Sequence, residues 1–212
     1  MSHFSKNYRL TFCKGLEGCA NRAVFLRGFY EKLHGLLQEL FGTQPKKTEN
    51  KVHHGIFRVA VSDCPNACSR PQIVDIGLIG ASEPTVTDLE CKDCGGCLEV
   101  CKEKAISFWN GVRFPIIDND LCVRCGACIQ ACSKGTIQEG RHGYRILMGG
   151  RLGRHPRLGT ELPGIYDETK ALEMVRRIVL WYLANAMPGE RLADVLTRQK
   201  GAMEELRKIL QG

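Results

Sequence analysis

Twelve cysteines are the residues of this chain whose types and spacing indicate chemistry. Four of them form an outer set of two distant pairs, in which Cys13 and Cys19 read C-x5-C, whereas Cys64 and Cys68 read C-x3-C. Each pair follows a short strand-like run. Because soft thiolates select iron–sulfur clusters or zinc, four of them brought together at two strand-to-turn junctions would suit one cubane 4Fe-4S cluster.

The other eight cysteines follow in two runs of the pattern C-x2-C-x2-C-x3-C. This is the spacing of the bacterial two-cluster ferredoxin, in which the fourth cysteine of each run serves the other cluster. We therefore expect a first insert set of Cys91, Cys94, Cys97 and Cys132, and a second insert set of Cys122, Cys125, Cys128 and Cys101. Gly95, Gly96 and Gly126 would let the backbone turn its amide hydrogens toward the sulfides.

Zinc is the alternative metal for all of these cysteines, since paired C-x2-C units also bind it. A zinc site needs four ligands and has no reason to use the 2-2-3 spacing twice, which favours cubanes. For any one cysteine, the alternative is a small buried apolar side chain. The runs differ from the usual ferredoxin pattern at one point, because Lys102 and Ser133 stand where proline usually follows the fourth cysteine.

Composition limits the classes of function open to the chain of 212 residues. Many cysteines without a secretory signal favour metal binding in a reducing cytoplasm, so we expect a cytoplasmic protein. The net charge of +7 would be nearly cancelled by three cubanes of about −2 each, and no basic tract is present, which argues against nucleic-acid binding. The longest apolar run, 178–184, is too short to span a membrane.

The elements that must position the cysteines are strands and helices of mixed order. We predict strands at 8–12, 56–61 and 73–79, the last of them buried on both faces. A helix is predicted from an N-cap at Asn21 to Gly42, with apolar positions from Phe25 onward, and a polar loop is predicted at 42–51. After a short strand at 144–148, the C-terminal part is predicted to be helical, with a break at Pro188.

The repeated, cysteine-rich composition between about residue 89 and residue 140 indicates an inserted domain. We expect residues 89–140 to form a two-cluster ferredoxin domain. Residues 1–88 and 141–212 would together form the surrounding domain, which holds the outer set of cysteines.

Three short sequence motifs of the chain resemble motifs of the siroheme-dependent sulfite and nitrite reductases. They are CPNxC at 64–68, DIGLIG at 75–80 and GGRLGRHPRLG at 149–159. The resemblance covers most of the chain and implies an α+β fold with three layers, namely the siroheme and 4Fe-4S domain of that family. It also implies three 4Fe-4S clusters and siroheme as cofactors.

In that family the last cysteine of the outer motif both ligates the cubane and bridges to the siroheme iron, so the resemblance assigns this catalytic role to Cys68. The carboxylates of siroheme must be matched by cations and amides. The candidates for binding it are Lys14, Arg22, Arg58, Asn66, Arg70, Arg151 and Arg154, with Arg157, His53, His54 and His155 nearby.

The function implied by the resemblance is the multi-electron reduction of a small oxyanion, sulfite or nitrite, with single electrons from an external low-potential donor. Such reductases carry a large portion before the first cluster cysteine, whereas twelve residues precede Cys13 here. We therefore expect that a second copy or a partner subunit completes the siroheme site, or that the cofactor is unusually exposed. The alternatives are a siroheme-free electron-transfer subunit that serves a separate reductase, and a scaffold whose clusters are structural.

Overall fold

The structure, a computed structural model, describes residues 2–5, 7–42, 55–109 and 114–211. The strands are β1 Ser2–Phe4, β2 Tyr8–Phe12, β3 Phe57–Ser62, β4 Ile76–Val86, β5 Ile106–Ser107, β6 Ile116–Ile117, β7 Ile137–Met148 and β8 Thr160–Glu161. The helices are α1 Phe29–Gly42, α2 Gly96–Val100, α3 Ala127–Ala131, α4 Glu168–Asn185, α5 Leu192–Arg198 and α6 Ala202–Gln211. The predicted loop residues 43–51, with His53 and His54, lie outside the described residues.

Six of these strands form one mixed sheet in the order β1-β2-β3-β4-β7-β8. The three strands β2, β3 and β4 are parallel, and the remaining neighbours are antiparallel. Carboxyl ends of parallel strands lie at the same edge of a sheet, so the chain segments that follow β2 and β3 begin side by side. The predicted mixture of helices and strands is confirmed, and the arrangement in three layers stays a prediction.

Helix α1 begins at Phe29 and not at the predicted Asn21. Residues 21–28 instead form an irregular segment, because the amides of Ala23 and Val24 donate to the backbone oxygen of Asp63 at 2.7 and 3.1 Å. Phe25, taken as the first apolar position of the helix, is exposed. The predicted end at Gly42 is confirmed, and the apolar positions from Phe29 onward are buried.

One apolar core joins the sheet to α1 and to the C-terminal helices. Phe29 of α1 stacks on Tyr144 of β7, with ring centroids 4.5 Å apart, and Phe57 of β3 meets Tyr182 of α4 at 4.7 Å. Aromatic pairs at such distances add to the free energy gained by burying the rings themselves. The core therefore fixes the first half of the chain against the last third.

Strand β4 is buried on both faces over its first seven residues, as predicted. It begins at Ile76 and not at Ile73, because residues 71–73 form a 3-10 turn that starts with Pro71. One face of β4 packs into the helical core, and the other is covered by the chain that follows Cys68. The cover is so close that a Cβ at Gly77 would lie 2.0 Å from the backbone oxygen of Pro71.

Strands β4 and β7 are longer than predicted: β4 ends at Val86, just before the predicted insert, and β7 begins at Ile137, within its last residues. The two strands pair antiparallel from Ile76 and Met148 at one end to Val86 and Ile137 at the other. The register shifts at a bulge between Ser82 and Pro84. The pair therefore forms two arms that carry residues 87–136. A small apolar core is formed by Cys97, Ile106 and Cys128 of that segment together with Ile137, the first residue of β7.

The C-terminal helices follow the predicted pattern, with one additional break. The first stripe is α4, and the chain turns at the predicted Pro188 and Gly189. The second stripe is divided into α5 and α6 at Gly201, whose φ of +79° is typical of glycine. Within the described part of the chain, none of the helices is both long and apolar enough to cross a membrane.

Candidate metal centres

The outer set of cysteines assembles at the carboxyl ends of β2 and β3. Cys13 directly follows β2, and its amide donates to the backbone oxygen of Val61 in β3 at 3.0 Å. Its sulfur accepts hydrogen bonds from the amides of Gly15 and Asp63 at 3.3 and 3.4 Å. Amide hydrogens directed at a cysteine sulfur are the contacts that stabilise a thiolate cluster ligand.

The four sulfurs of the outer set interact electrostatically. Burial raises the pKa of the Cys64 thiol, the amide of Asn66 lowers it, and the thiols of Cys13, Cys68 and Cys19 raise it again. Cys64 is buried, whereas Cys68 is exposed. The set therefore has an inner side at Cys64 and an outer side at Cys68.

Asp63 fixes the turn that carries Cys64. Its buried carboxylate accepts hydrogen bonds from the hydroxyls of Tyr30 at 2.6 Å and Tyr144 at 3.1 Å. Burial raises the pKa of this carboxyl, and the two tyrosines and Arg22 lower it. A Cβ at Gly15 would lie 2.0 Å from the carboxylate, so only glycine fits beside it. Sequence reasoning missed Asp63, for which the only signal was its position before Cys64.

The first insert set lines one narrow cavity. All four of its members, Cys91, Cys94, Cys97 and Cys132, face that cavity. Burial raises the pKa of Cys97, and the thiols of Cys91 and Cys132 raise it further. For Cys132, burial acts in the same direction, but four amide hydrogens, those of residues 134–137, hold its pKa below the usual range.

The second insert set lines a larger cavity of about 220 Å³. Burial raises the pKa of Cys128 to about 12, and the thiols of Cys122, Cys125 and Cys101 contribute in the same direction. Cys101 comes from the first run of the sequence, as the exchange of fourth cysteines predicts. The same cavity is also lined by Cys64 of the outer set, so the outer set and the second insert set face one space.

The two runs have matching backbone conformations, which the sequence did not reveal. Each position of the first run has its counterpart 31 residues later, as Cys91 has in Cys122. Positive φ angles recur at three such pairs: Asp93 (51°) and Arg124 (61°), Gly95 (73°) and Gly126 (73°), and Lys104 (52°) and Gly135 (76°). The repeat is therefore one of conformation as well as of cysteine spacing.

The twelve cysteines fit clusters better than single metal ions. All of them are free of disulfides. Among the described residues, no three His, Cys, Asp or Glu side chains converge closely enough to hold one ion. A zinc site requires that convergence, whereas a cubane binds each thiolate through a different iron, so its ligands stand farther apart.

The residues predicted to hold siroheme are divided among different places. Arg22 and Asn66 line the large cavity beside Cys64, and the guanidinium of Arg22 lies 4.2 Å from the ring centroid of Phe25. Lys14 follows Cys13 and is exposed, as is Arg70. These four lie on segments adjacent to the outer set.

Arg58 does not lie near the outer cysteines. It is at the start of β3, and four residues of extended strand, roughly 13 Å, separate it from the end that leads to Cys64. Burial lowers the pKa of Arg58, the charge of Arg191 lowers it further, and that of Asp75 raises it. Arg58 thus lies beside a buried pair formed by Asp75 and Arg191.

The basic loop 149–159 packs against the chain that follows Cys68. The amide of Gly159 donates to the backbone oxygen of Gln72 at 2.7 Å. Arg151 forms an ion pair with Asp194 of α5 and donates to the backbone oxygen of His155. Arg157 donates to Thr197 of α5, whereas Arg154 and His155 are exposed. Of the two predicted siroheme ligands in the loop, Arg154 is therefore without such a contact to α5.

Comparison with known proteins shows one family and several relatives to which the chain is similar. The sequence profile described as the nitrite and sulphite reductase 4Fe-4S domain matches residues 44–211. The coenzyme F420-dependent sulfite reductase of Methanocaldococcus jannaschii is 35% identical over 159 residues, which are 73% of this chain and 25% of that protein. One of the subunits of the anaerobic sulfite reductase of Salmonella typhimurium is 30% identical over 50 residues, 24% of this chain and 15% of that protein.

Two solved structures are similar in fold. Dissimilatory sulfite reductase I has a TM-score of 0.62 and 16% identity, and the match covers 100% of this chain and 54% of that one. The NirA protein of Mycobacterium tuberculosis has a TM-score of 0.53 and 18% identity, and the match covers 93% of this chain and 26% of that one. The chain thus spans about a quarter or less of the curated relatives named above.

Proposed function

The chain belongs to the nitrite and sulphite reductase 4Fe-4S domain family, and we propose that it is a reductase-like oxidoreductase for a small oxyanion, sulfite or nitrite. In this proposal the three sets of cysteines hold three 4Fe-4S clusters. Residues 89–140 form the ferredoxin domain, and residues 1–88 with 141–212 form the domain that holds the third cluster and siroheme. A low-potential donor outside the chain supplies the electrons.

One observation supports the proposal more than any other: the cavity that Cys64 shares with the second insert set. Four thiols of a predicted electron-carrying domain and one thiol of the outer set face the same space of about 220 Å³. Separate structural metal sites would have no need of this proximity. An electron relay requires it, because electron transfer slows steeply with distance.

The chain's own residues prepare the sulfurs for clusters. When bound, cubanes would supply single electrons, and siroheme would supply an iron that can bind the substrate. The amides of Gly15 and Asp63 donate hydrogen bonds to the sulfur of Cys13. The amide of Ala105 donates to the sulfur of Cys101 at 3.3 Å, and that of Ile137 donates to the sulfur of Cys132 at 3.2 Å. Each of these hydrogen bonds stabilises the thiolate form of the cysteine.

Siroheme is assigned to Cys68 because that sulfur lies on the outer side of the set. Its exposure leaves room for a macrocycle, whereas Cys64 faces the insert. Lys14 and Arg70, which are exposed on the segments that follow Cys13 and Cys68, are proposed partners for the siroheme carboxylates, with Arg154 from the basic loop, whereas Arg22 and Asn66 line the cavity on the side of Cys64. A second copy or a partner subunit would complete the cofactor and substrate site on this side.

A siroheme-free electron-transfer subunit is the second candidate function. It is favoured because two of the residues predicted to bind siroheme interact with other groups of the chain instead. Arg151 is paired with Asp194, and Arg58 lies beside the Asp75 and Arg191 pair at the far end of β3. In this alternative, the same three clusters would pass electrons to a separate reductase.

Extraction of the cofactors separates the two candidates. Anaerobically purified protein is extracted with acid acetone for a siroheme spectrum, and iron and sulfide are counted on the same sample. We expect one siroheme per chain and one iron atom in excess of three cubanes. If the protein contains three cubanes but no tetrapyrrole, even after reconstitution with siroheme, the electron-transfer subunit becomes the proposed function in place of the reductase.

A matched pair of variants tests the role of Cys68. Cys68→Ser should remove siroheme and sulfite-dependent turnover. Cys125→Ser, which changes a second-insert-set ligand, should slow electron delivery while bound siroheme stays. Siroheme retained at full occupancy in the Cys68→Ser protein would disprove the bridging role.

A further inference from the structure

The two cysteine runs match in conformation, but in the part of the chain that the structure describes only the second one contacts the surrounding domain at its Cys-x-x-Cys loop. Gly95 in the first run and Gly126 in the second have the same φ of +73°. A Cβ at Gly95 would meet nothing within 4 Å. A Cβ at Gly126 would lie 3.0 Å from both Cβ and Oγ of Ser82. The two loops therefore differ in what packs against them and not in their backbone conformation.

Ser82 and residues 124–126 form a seam between β4 and the second run. The amide of Ser82 donates to the backbone oxygen of Arg124 at 2.9 Å, and Ser82 and Cys125 form an isolated parallel bridge. Ser82 is buried, and its hydroxyl donates to Glu139 at 2.6 Å. The loop that carries Cys125 is thus hydrogen-bonded to the sheet of the surrounding domain.

Charged groups beside the seam tie it to both arms. Glu83 of β4 accepts two hydrogen bonds from Arg141 of β7, at 2.7 and 2.9 Å. Arg124 lies 3.6 Å from the same carboxylate. The bulge between Ser82 and Pro84 also occurs here. One carboxylate therefore connects the second run to both arms at the point where the arms change register.

The seam borders the large cavity. Pro84 from β4, Gly126 and Cys125 line that cavity together with Cys64. The arms alone attach the insert through one pair of strands, and an isolated two-stranded ribbon is only marginally stable in water. The contact beside Cys125 is a third attachment, which holds the insert more firmly.

We infer that the seam between Ser82 and residues 124–126 is a positioning element that holds the second insert set against the outer set. The inference rests on the proposed function, because the separation of the two sets matters only when both bind clusters. Among the described residues, no such attachment is made by the matching loop 93–95, and Cys64 does not line the cavity of the first insert set. The cluster of the second insert set is accordingly the one that exchanges an electron with the outer cluster. In each transfer, the cluster that gives the electron is oxidised by one electron and the cluster that receives it is reduced by one.

Gly126→Asn tests the seam, and Gly95→Asn is its matched control. Asparagine accepts a positive φ, so the backbone tolerates both changes to the same degree. Only at position 126 does the new side chain meet Ser82. Ser82→Gly removes the opposing Cβ and hydroxyl but keeps the amide, so the Ser82→Gly/Gly126→Asn double variant should restore the seam.

Two measurements report the result. Hydrogen exchange of the peptide that contains the Ser82 amide should become at least about tenfold faster in Gly126→Asn, about 1.4 kcal/mol, and stay unchanged in Gly95→Asn. In the dithionite-reduced protein, the electron paramagnetic resonance signal that arises from coupling between the outer and second insert clusters should be lost in Gly126→Asn only. Both effects should be reversed in the double variant.

The inference is overturned if Gly126→Asn and Gly95→Asn behave alike, or if the double variant does not recover the coupling. Iron and sulfide counts on each variant keep this outcome apart from a failure of the proposed function. A wild-type protein without three cubanes would refute the proposed function, and the exchange of the Ser82 amide would still decide whether the seam exists.

Discussion

Replacing Arg191 with methionine would leave the carboxylate of Asp75 buried without its cation. Asp75 is fully buried and accepts three hydrogen bonds from the Arg191 guanidinium, the shortest at 2.9 Å. It also accepts from the amides of Arg58 at 2.8 Å and Leu192 at 3.0 Å. Arg191 itself donates to the backbone oxygen of Gly150. The pair therefore joins β3, β4, α5 and the basic loop.

The expected cost of Arg191→Met is about 3–5 kcal/mol, which is typical of breaking a buried ion pair on one side. Methionine keeps most of the apolar stem, so the loss arises from the uncompensated charge. For a chain of this length, each kcal/mol lowers the melting temperature by about 2–4 °C. The melting temperature should accordingly fall by roughly 6–20 °C.

The deficit should depend on pH. Burial raises the pKa of Asp75 and the charge of Arg191 lowers it, so the pKa rises further in the variant. A carboxyl with a folded-state pKa above its unfolded-state value binds more protons in the folded state. The free energy of unfolding therefore falls as the pH rises from the unfolded-state pKa through the folded-state pKa. The deficit should be smallest on the acid side.

Anaerobic thermal unfolding followed by circular dichroism at about pH 6 and about pH 8 would measure both effects. Arg198→Met is the control, because its pair with Glu190 is partly exposed and should contribute less than about 1 kcal/mol. The Arg191→Met/Asp75→Asn variant should lose the pH dependence. A deficit at pH 8 no larger than that of the control would refute the reasoning.

Three further perturbations test other contacts. Gly150→Ala should cost about 1–3 kcal/mol in thermal unfolding, because its Cβ would lie 2.3 Å from the backbone oxygen of Gln72. Tyr30→Phe should cost about 1–3 kcal/mol in urea unfolding, because it removes the 2.6 Å hydrogen bond to the buried Asp63. Removal of iron by an anaerobic chelator should unprotect the amides of residues 89–136 to hydrogen exchange, because two of the four buried residues of that core are cysteines.

Each of these predictions has an internal comparison. Gly35→Ala has no neighbour to meet and should stabilise α1 by about 1 kcal/mol. Tyr166→Phe removes a hydrogen bond on a partly exposed ring and should cost less than Tyr30→Phe. After iron removal, α1 and α4 should stay protected, since their core contains no cysteine. Loss of their protection together with that of the insert would contradict the separate core of the insert.

The cysteine sets were predictable because ligand chemistry imposes a local spacing that the sequence displays directly. Strand β2 was also predicted at its observed bounds, from a short apolar run. The start of α1 was not, because Ala23 and Val24 bond to the oxygen of Asp63, which is 40 residues away from Ala23. No local pattern records such a bond.

The partners of the basic residues were equally hidden. Arg191 and Asp75 are 116 positions apart, and Arg151 and Asp194 are 43 apart. From the sequence, Arg58 and Arg151 were candidates for binding the carboxylates of siroheme. Only the fold shows that Arg58 lies beside a buried ion pair and that Arg151 is held by α5.

The paired arms β4 and β7 also bear on how such a chain could have been assembled. Thr87 and Thr136 are joined by a backbone hydrogen bond of 2.8 Å, so the segment between them leaves and re-enters the sheet at neighbouring points. Closing a loop of about fifty residues instead of a few costs only about 2 kcal/mol more in chain entropy, because the cost grows with the logarithm of loop length. A short turn in place of the segment would leave the strand pair intact. If residues 89–140 are the ferredoxin domain that we propose, such a domain can be gained, lost or exchanged at this strand pair without a change to the topology of the rest of the sheet.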